Sequence, residues 1–576
     1  MTKYILLLLL IPAAITAQNK KYLTPYEKGN GNQTATYSEA IEYFQLLAKD
    51  FNTVSIEEMG LTDSGEPLHI VSYNPDGITN FKKISSNKAV LLINNGIHPG
   101  EPDGIDATMM LYRDLALGIV NSPKNVVIVN IPVYNIGGAL NRNSYTRANQ
   151  NGPESYGFRG NARNYDLNRD FVKSDSRNSR SFAQIFHKVN PDVFIDNHVS
   201  NGADYQYTLT YIATHHQKLG GDLGNYFKNE MMPAILSQLK KNKKTDAIPY
   251  VNVFGTVPDN GFEQIMDHPR YSTGYASLFN TPGSMPETHM LKEYSQRVKV
   301  TYEYMLATIN HIEKNHAKIK ELRSANVKNY AAGRQYTLQW ELDSTMVTSL
   351  PFLGYEGAYK KSEVSGKDRL YYDRNKPFNK TIPYYQNYKP AVTVTIPKAY
   401  VIPKGWWDII ELLELNNIQM KKLDRDTVFE AESYRIADYK TSGYAYEGHY
   451  PHSNTQVSST TVKIAFKKGD YIINTNQPGV KYLLETLEPQ GVDSFFNWNF
   501  FDAVLQQKEY FSSYVFEDTA AALLKENSEL KKTFEQKKQA DKVFADDGKA
   551  QLDWIYRNSD YYEKSHLQYP VYRIMK

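Results

Sequence analysis

The sequence contains no cysteine, and this absence excludes several kinds of chemistry at once. A chain without cysteine has no disulfides, no cysteine-ligated metal and no thiol nucleophile. It also has no cysteine to carry the lipid of a bacterial lipoprotein. An excess of one charge is missing too, because 66 Lys and Arg stand against 63 Asp and Glu, leaving a net charge of +3. A charge so dilute over 576 residues predicts no nucleic-acid partner.

Apolar runs long enough to cross a membrane are also absent from the sequence. Residues 5–15 are apolar apart from Pro12, and they lie between Lys3 and the small residue Ala17. A short apolar core in this setting is typical of a secretory signal peptide, and it is too short for a membrane-spanning helix. We therefore predict a signal peptide over residues 1–17 and a periplasmic or secreted protein without a membrane span. An uncleaved anchor is the alternative interpretation.

The first 330 residues alternate between strand and helix patterns. Continuous apolar runs over residues 89–93, 125–133 and 193–195 are typical of strands that are buried on both faces of a sheet. Helical periodicity lies between these runs, and an earlier helix is predicted to begin at a capping box formed by Thr36 and Glu39. The alternation predicts a three-layer α/β/α domain over residues 18–330, with a mixed, largely parallel sheet.

The pattern changes beyond about residue 330. Residues 335–480 carry β-type runs that are interrupted by one amphipathic helix at 406–415, whereas residues 523–539 are helical and strongly charged. We predict a β-rich accessory domain over residues 335–480 and a helical C-terminal region over residues 481–576.

Side chains with metal-binding chemistry follow the predicted strands. His98 and Glu101 lie in the loop after the strand at 89–93, and His198 follows the strand at 193–195. Ligands of open α/β sheets bind at the carboxyl ends of the strands. Two histidines and one glutamate leave the fourth position of a tetrahedral zinc site open for water. The sequence thus predicts one Zn²⁺ per chain, and the alternative is that these polar residues cap strand and helix ends.

Further polar residues supply groups that such a metal site needs to hydrolyse an amide. Glu287 follows another segment that can cross the sheet, and its carboxylate can take a proton from metal-bound water. Asn168 and Arg169 can bind a carboxylate through charge-assisted hydrogen bonds. The competing interpretations are an ordinary loop carboxylate for Glu287 and a structural ion pair of Arg169 with Asp166 or Asp170.

Together these segments resemble the zinc carboxypeptidase family of the carboxypeptidase A type over residues 35–325. The matching motifs, in the order of the family, are His98-x-x-Glu101, Asp166-Leu167-Asn168-Arg169, His198 and Pro286-Glu287-Thr288-His289. The resemblance implies that His98, Glu101 and His198 bind zinc and that Asp166 orients His98. It also implies that Asn168 and Arg169 bind the terminal carboxylate of a peptide and that Glu287 is the general base.

The resemblance further implies an oxyanion-stabilising arginine upstream of the Asn-Arg pair and a flap tyrosine ahead of the base. Arg142, Arg147 and Arg163 are the candidate arginines, and Tyr271 and Tyr275 are the candidate tyrosines. We predict Arg147 as the catalytic arginine and Tyr275 as the substrate-binding tyrosine. The sequence does not indicate which terminal residue the specificity pocket prefers.

These observations predict an exported zinc metallocarboxypeptidase that removes the C-terminal residue of peptides. Related deacylases have similar zinc ligands and the same Asp-Leu-Asn-Arg motif, so a zinc amidohydrolase acting on acylated amino acids or cell-wall peptides is one alternative. A catalytically inactive protein that binds peptide or glycan is another. The His-Pro-Gly-Glu and Glu-Thr-His segments favour the peptidase, and the intact Glu287 argues against an inactive protein.

Overall fold

The computed structural model describes residues 20–243 and 245–576, so the predicted signal peptide over residues 1–17 lies outside the described residues. A nine-stranded sheet forms the centre of the N-terminal half. Its strands are β1 (Val54–Leu61), β2 (Pro67–Tyr73), β3 (Ala89–Asn94), β4 (Val126–Ile131), β5 (Val193–Asp196), β6 (His198–Ser200), β7 (Leu209–Ala213), β8 (Ala247–Pro249) and β10 (Gly283–His289). Their order is β1-β2-β4-β3-β5-β10-β7-β8, with β6 paired to β10.

The middle of this sheet is parallel and fully buried. β3 is parallel to β4 and β5, and β10 is parallel to β5 and β6. Antiparallel pairs join β1 to β2, β2 to β4 and β7 to β10. Every residue of β3, β4 and β5 is buried, which explains the continuous apolar runs in the sequence because helices cover both faces. The predicted mixed, largely parallel sheet is confirmed.

Helices pack on both faces of the sheet and complete three layers. Their bounds are Pro25–Lys28, Tyr37–Asp50, Phe81–Asn87, Asp103–Ala116, Ile136–Leu140, Arg177–Val189, His216–Leu219, Gly221–Tyr226, Met232–Lys243, Ser272–Leu278 and Tyr294–Asn326. Side chains of β3 alternate between two cores, with Leu92 packed beside the helix Arg177–Val189 and Leu91 beside the helices Asp103–Ala116 and Tyr294–Asn326. The predicted capping box of Thr36 is present at the start of the helix Tyr37–Asp50.

Residues 335–576, together with one short strand from the N-terminal half, form three further sheets and a group of helices. The strands are β9 (Phe262–Glu263), β11 (Gln335–Leu342), β12 (Val347–Lys361), β13 (Asp368–Tyr385), β14 (Tyr388–Thr395), β15 (Ala399–Ile402), β16 (Lys421–Lys422), β17 (Thr427–Thr441), β18 (His452–Phe466), β19 (Tyr471–Asn474) and β20 (Tyr572–Ile574). The helices are Trp407–Leu415, Val480–Leu487, Ser513–Glu526, Ser528–Ala540, Lys542–Asp546 and Gly548–Arg557. β9 pairs with β13, and β20 pairs with β15 and β17. Contacts therefore cross both predicted boundaries.

The two halves of the chain share a hydrophobic core. Phe279 stacks on Tyr482 with ring centroids 5.6 Å apart, in a cluster that also contains Phe182 from the N-terminal half. Arg270 forms an ion pair of 2.6 Å with the buried Asp493 beside this cluster. Within residues 20–243 and 245–576, none of the helices combines the length and the apolar character needed to span a bilayer.

Candidate active site

Three metal-binding side chains converge at the carboxyl edge of the sheet. His98 and Glu101 lie in the loop after β3, and His198 opens β6 directly after Asn197 interrupts the strand. All three are buried, and one ligand atom of each lies within 4.8 Å of the other two. The Nδ1 atoms of His98 and His198 lie 3.2 and 3.1 Å from the two carboxylate oxygens of Glu101. The donor atoms thus face one another, as a site for one divalent cation requires.

A carboxylate fixes the orientation of each histidine. Asp166 accepts a hydrogen bond from Nε2 of His98 at 2.9 Å, and Asp196 accepts one from Nε2 of His198 at 3.0 Å. A proton held at Nε2 leaves the Nδ1 lone pair free to bind a metal. Although burial lowers the pKa of His198, Asp196 and Glu101 hold that pKa well above its ordinary value. Sequence reasoning missed Asp196, although a carboxylate two residues before a candidate ligand was a readable signal.

Close backbone packing holds the ligand loops in place. Gly104 lies in the first turn of the helix that follows the His98 loop, and a Cβ there would lie 2.2 Å from Oδ1 of Asn95 and 2.5 Å from Cβ of Asn197. Only glycine lets this helix approach the segment that leads into His198. The backbone N–H of Val199 donates to Oε2 of Glu101 at 2.9 Å, which links the third ligand to the second.

Glu287 lies beside the metal ligands and does not belong to their cluster. It occupies β10 opposite His198 in the parallel register of β10 and β6, so neighbouring strands bring the two residues together. Burial raises the pKa of Glu287 to about 8, and the carboxylates of Glu101 and Asp196 add to the increase. A bound cation would oppose it. The side chain lines the same cleft as the three ligands.

Two arginines reach the metal ligands. Arg147, the predicted catalytic arginine, donates from Nη1 to Oε1 of Glu101 at 2.8 Å. Arg159 donates from Nε to Asp166 at 3.0 Å, and its Nη1 lies 3.3 Å from Nδ1 of His98. Because the side chain of Arg159 is 42% exposed, its guanidinium also borders the open cleft.

The other candidate arginines are engaged elsewhere. Arg142 donates to the backbone carbonyls of residues 34, 35 and 155, and Arg163 donates to the carbonyl of residue 175. Arg159 was not among the sequence candidates. Its position seven residues before Asp166, at the start of the segment that carries the Asp-Leu-Asn-Arg motif, was the available signal.

A short turn presents the predicted carboxylate-binding pair. Residues Leu167–Arg169 form one turn of 3₁₀ helix, which Asp166 caps by accepting the N–H of Asn168 at 2.9 Å. Asn168 accepts the N–H of Ser272 at 3.2 Å, and the guanidinium of Arg169 lies 4.7 Å from the ring centre of Tyr271. Asn168, Arg169 and Tyr271 all line the cleft.

The predicted substrate-binding role of Tyr275 is corrected by its position. Tyr275 is 0% exposed and packs against Phe171 and Phe186 in the core, away from the cleft. Its hydroxyl donates to Oδ1 of Asn416 at 2.6 Å. Tyr275 lies inside the helix Ser272–Leu278, which turns its ring into the core, whereas Tyr271 precedes the helix and borders the cleft.

These side chains surround a cleft of about 580 Å³. Tyr250 and Phe254 form part of its wall. The C-terminal half reaches the back of the site, because Glu447 accepts the backbone N–H of Asp166 at 2.8 Å. The arrangement brings the His98–Glu101–His198 cluster, the carboxylate of Glu287 and the Asn168–Arg169 pair together in one opening.

Comparisons with known proteins find that the chain is similar to carboxypeptidases. Protein-family models were searched and none matches the chain. Carboxypeptidase 2 of Trichophyton rubrum is 21% identical over 496 residues, covering 81% of this chain and 84% of the relative. Carboxypeptidase 2 of Trichophyton tonsurans is 20% identical over 447 residues, covering 72% and 75%. A solved metallo-carboxypeptidase from Burkholderia cenocepacia is 16% identical with a TM-score of 0.36, covering 49% of this chain and 70% of that one.

Proposed function

We propose that the chain is a zinc metallocarboxypeptidase that hydrolyses the C-terminal peptide bond of peptides. Two findings support this proposal: the chain is similar to carboxypeptidases, and it carries the ligand set of the zinc carboxypeptidase A-like family. The observation that carries the proposal is the placement of Glu287 beside His98, Glu101 and His198 in one cleft. A purely structural metal site has no use for an extra buried carboxylate. The donors are two nitrogens and a carboxylate without thiolate, which fits zinc with an open fourth position.

The residues of the site divide the chemical work between them. Zinc, when bound, supplies Lewis-acid polarisation of the carbonyl and lowers the pKa of water. Glu287 is the general base, and it returns the proton to the leaving amine as a general acid. Burial raises the pKa of Glu287 above its ordinary value, and a bound cation opposes this increase. Asp166 and Asp196 are positioning residues, since each acts through the histidine that it holds.

The positively charged side chains in the cleft bind the negatively charged groups of the substrate. Asn168 and Arg169 bind the free carboxylate of the terminal residue, which makes removal of a single residue the expected reaction. Arg147 is the arginine predicted to stabilise the oxyanion. It already neutralises Glu101, whereas Arg159 presents a half-exposed guanidinium beside His98. We assign oxyanion stabilisation to Arg159 together with Arg147.

A zinc deacylase that acts on acylated amino acids or cell-wall peptides is a second candidate. One observation favours it, because Asn168 and Arg169 would bind the free carboxylate of an acylated amino acid as well as that of a peptide. The similarity to a protein named carboxypeptidase extends over 81% of the chain, and this supports the peptidase. The composition of residues 1–17 supports export as a further part of the proposal.

The test uses the zinc-loaded protein and peptides that carry either a free or an amidated C-terminus. We expect the mass of one residue to be lost from free ends only, and chelation to stop the reaction. Glu287→Gln should lower kcat by about 10²–10⁴-fold while zinc content is retained. Glu154→Gln, on an exposed carboxylate, is the matched control.

Three outcomes would contradict the proposal. Amidated peptides that shorten as fast as free ones would exclude a carboxylate-binding role for Asn168 and Arg169. A fully active Glu287→Gln variant would exclude Glu287 as the base. Release of the acyl group from acylated amino acids, with no peptide shortened, would identify the deacylase.

A further inference from the structure

A second cavity, of about 260 Å³, lies next to the cleft. Ile212, Tyr250 and Ile265 line both spaces, so the cavity and the cleft share one wall. The three metal ligands and the Asn168–Arg169 pair line only the cleft. The cavity is therefore distinct from the proposed catalytic centre. It is also smaller than the roughly 300–1,000 Å³ of pockets that hold drug-sized ligands.

The cavity lies at the edge of the central sheet, where β8 ends at Pro249. Elements from both halves of the chain border it. β7 contributes Tyr211, Ile212 and Ala213, and the hairpin of β12 and β13 contributes Thr348, Ser349, Leu350 and Tyr384. Because residues so distant in the sequence form the cavity, no local motif indicates it.

A lysine without a carboxylate partner lines this cavity. Lys228 is half-buried, and no carboxylate among the described residues lines the cavity with it. Burial lowers the pKa of Lys228 from its ordinary value, and no neighbouring acid opposes that decrease. Lysine is seldom buried without a partner, because an ammonium group removed from water needs a counter-charge. The protein itself does not supply that charge here.

The polar neighbour of this lysine is a neutral histidine. Nε2 of His216 lies 3.4 Å from Nζ of Lys228, and both residues line the cavity. Burial and the charge of Lys228 lower the pKa of His216 to about 4. At pH 7 the ring therefore accepts from the ammonium group at Nε2 and carries its proton at Nδ1. This contact provides a hydrogen bond but leaves the positive charge without compensation.

The backbone that carries Lys228 is irregular. Residues Phe227–Met231 form one turn of π-helix between the helices Gly221–Tyr226 and Met232–Lys243. Such single turns are rare and frequently occur at functional sites. The irregular turn is thus a second feature, independent of the charge, that marks this cavity.

Uncharged hydrogen-bond donors also line the cavity. The hydroxyl of Ser349 is exposed and has no hydrogen-bond partner among the described residues. The side-chain amides of Gln264 and Gln386 each donate one hydrogen bond, to the carbonyl of Ala213 and to Oγ1 of Thr348. Each amide has a second hydrogen to donate. One ammonium group with several neutral donors is a combination that binds the oxygens of an anion.

We propose that this cavity binds one small oxyanion, either a tetrahedral inorganic anion or a short carboxylate, with Lys228 as its charged partner. The volume accommodates an ion of this size and excludes a peptide. The anion supplies the counter-charge that Lys228 lacks, and the amides and the hydroxyl supply further hydrogen bonds. Because Ile212 and Tyr250 line both spaces, the bound anion lies against the back of a wall of the cleft.

The test is calorimetric titration of the zinc-loaded protein with sulfate, and separately with acetate, at pH 7 and constant ionic strength. We expect saturable binding with a dissociation constant of about 1 mM or below for at least one of the two ions. Lys228→Met should weaken it by about tenfold or more, and Lys228→Arg, which keeps the charge, should restore most of it. Lys241→Met, on an exposed lysine of the next helix, is the matched control and should change nothing.

A further variant separates this cavity from the cleft. Arg169→Met changes only the cleft, so binding at Lys228 should be unaffected. Loss of binding in Arg169→Met but not in Lys228→Met would place the anion in the cleft and overturn the inference, as would equal binding by Lys228→Met and the wild type. An unchanged urea midpoint verifies that Lys228→Met is folded. Since the titration uses no substrate, its result is independent of the proposed peptidase activity.

Discussion

Replacing Asp196 by asparagine tests how the protein prepares His198 for a metal. Asp196 is fully buried, accepts from Nε2 of His198 at 3.0 Å and accepts from the amide of Asn94 at 3.0 Å. Asparagine has the shape of aspartate, but its amide offers an oxygen as acceptor and an NH₂ group as donor instead of two acceptor oxygens. If its NH₂ faces His198, the ring must accept at Nε2 and carry its proton at Nδ1, which faces Glu101.

The expected loss of zinc affinity follows from the two ways to relieve this conflict. The oxygen of the new amide can face His198 if the amide of Asn94 rotates, and Oδ1 of Asn94 has no partner now among the described residues. The histidine then keeps the correct tautomer but loses its charged partner. We therefore expect a 10–100-fold weaker zinc affinity, or about 1.4–2.8 kcal/mol, rather than complete loss.

The assay is competition for zinc against a chromogenic chelator at constant pH. Asp106→Asn is the matched control, because Asp106 is a buried carboxylate outside the ligand cluster that accepts the N–H of Ala35 at 3.2 Å and is bonded by Tyr294. Its zinc affinity should equal that of the wild type. An unchanged affinity in Asp196→Asn would refute the reasoning that the carboxylate sets the tautomer and basicity of His198.

Three further predictions concern the arginines, the loop packing and acid stability. Arg159→Met and Arg147→Met should each lower kcat by about 10²–10³-fold with zinc retained, because both guanidinium groups are assigned to the oxyanion. Kinetics and metal analysis check this, and an unchanged kcat in either variant would contradict the role of that arginine. Gly104→Ala should lower the free energy of unfolding by about 1–3 kcal/mol in urea, because its Cβ meets Asn197, and an unchanged midpoint would exclude this close approach. Burial raises the pKa of Asp106 from 3.8 to about 6, so its contribution is present below pH 4 and up to about 3 kcal/mol is lost as the pH rises through 6. Urea unfolding from pH 4 to 8 should show this loss in the wild type and not in Asp106→Asn; identical curves would contradict it.

The central strands could be predicted because burial on both faces leaves a continuous apolar signal. The predicted runs 89–93 and 193–195 correspond to Ala89–Asn94 and Val193–Asp196. Helix ends were less readable, and the structure places the N-cap of the helix Arg177–Val189 at Ser176. The predicted helix at 523–539 is broken at Asn527, whose side chain caps a second helix by accepting the N–H of Leu530.

The long hairpins of the C-terminal half could not be paired from sequence. β12 and β13 are mostly exposed, so both faces carry polar residues and the alternation that fixes register is weak. The pairing of β20 with β15 joins residues about 170 positions apart, and no local pattern encodes such a contact. The sequence could therefore predict β structure in this half but not its sheets.

Within the site, local motifs were readable and spatial choices were not. His98, Glu101 and His198 follow strand ends, and strand ends are visible in a sequence. The choice between Tyr271 and Tyr275 depended on where a helix begins, which is the least readable feature of a pattern.

The contacts between the two halves argue that the C-terminal half supports the site. Glu447 accepts the N–H of Asp166, and Asp166 in turn holds His98. The Arg270–Asp493 ion pair ties the same half to the segment that leads into Tyr271, and breaking such a buried pair costs about 3–5 kcal/mol. Loss of these contacts would loosen both the orienting carboxylate of a metal ligand and the wall of the cleft. Since the halves also share a core, a chain ending near residue 330 would lose more than a substrate-guiding appendage.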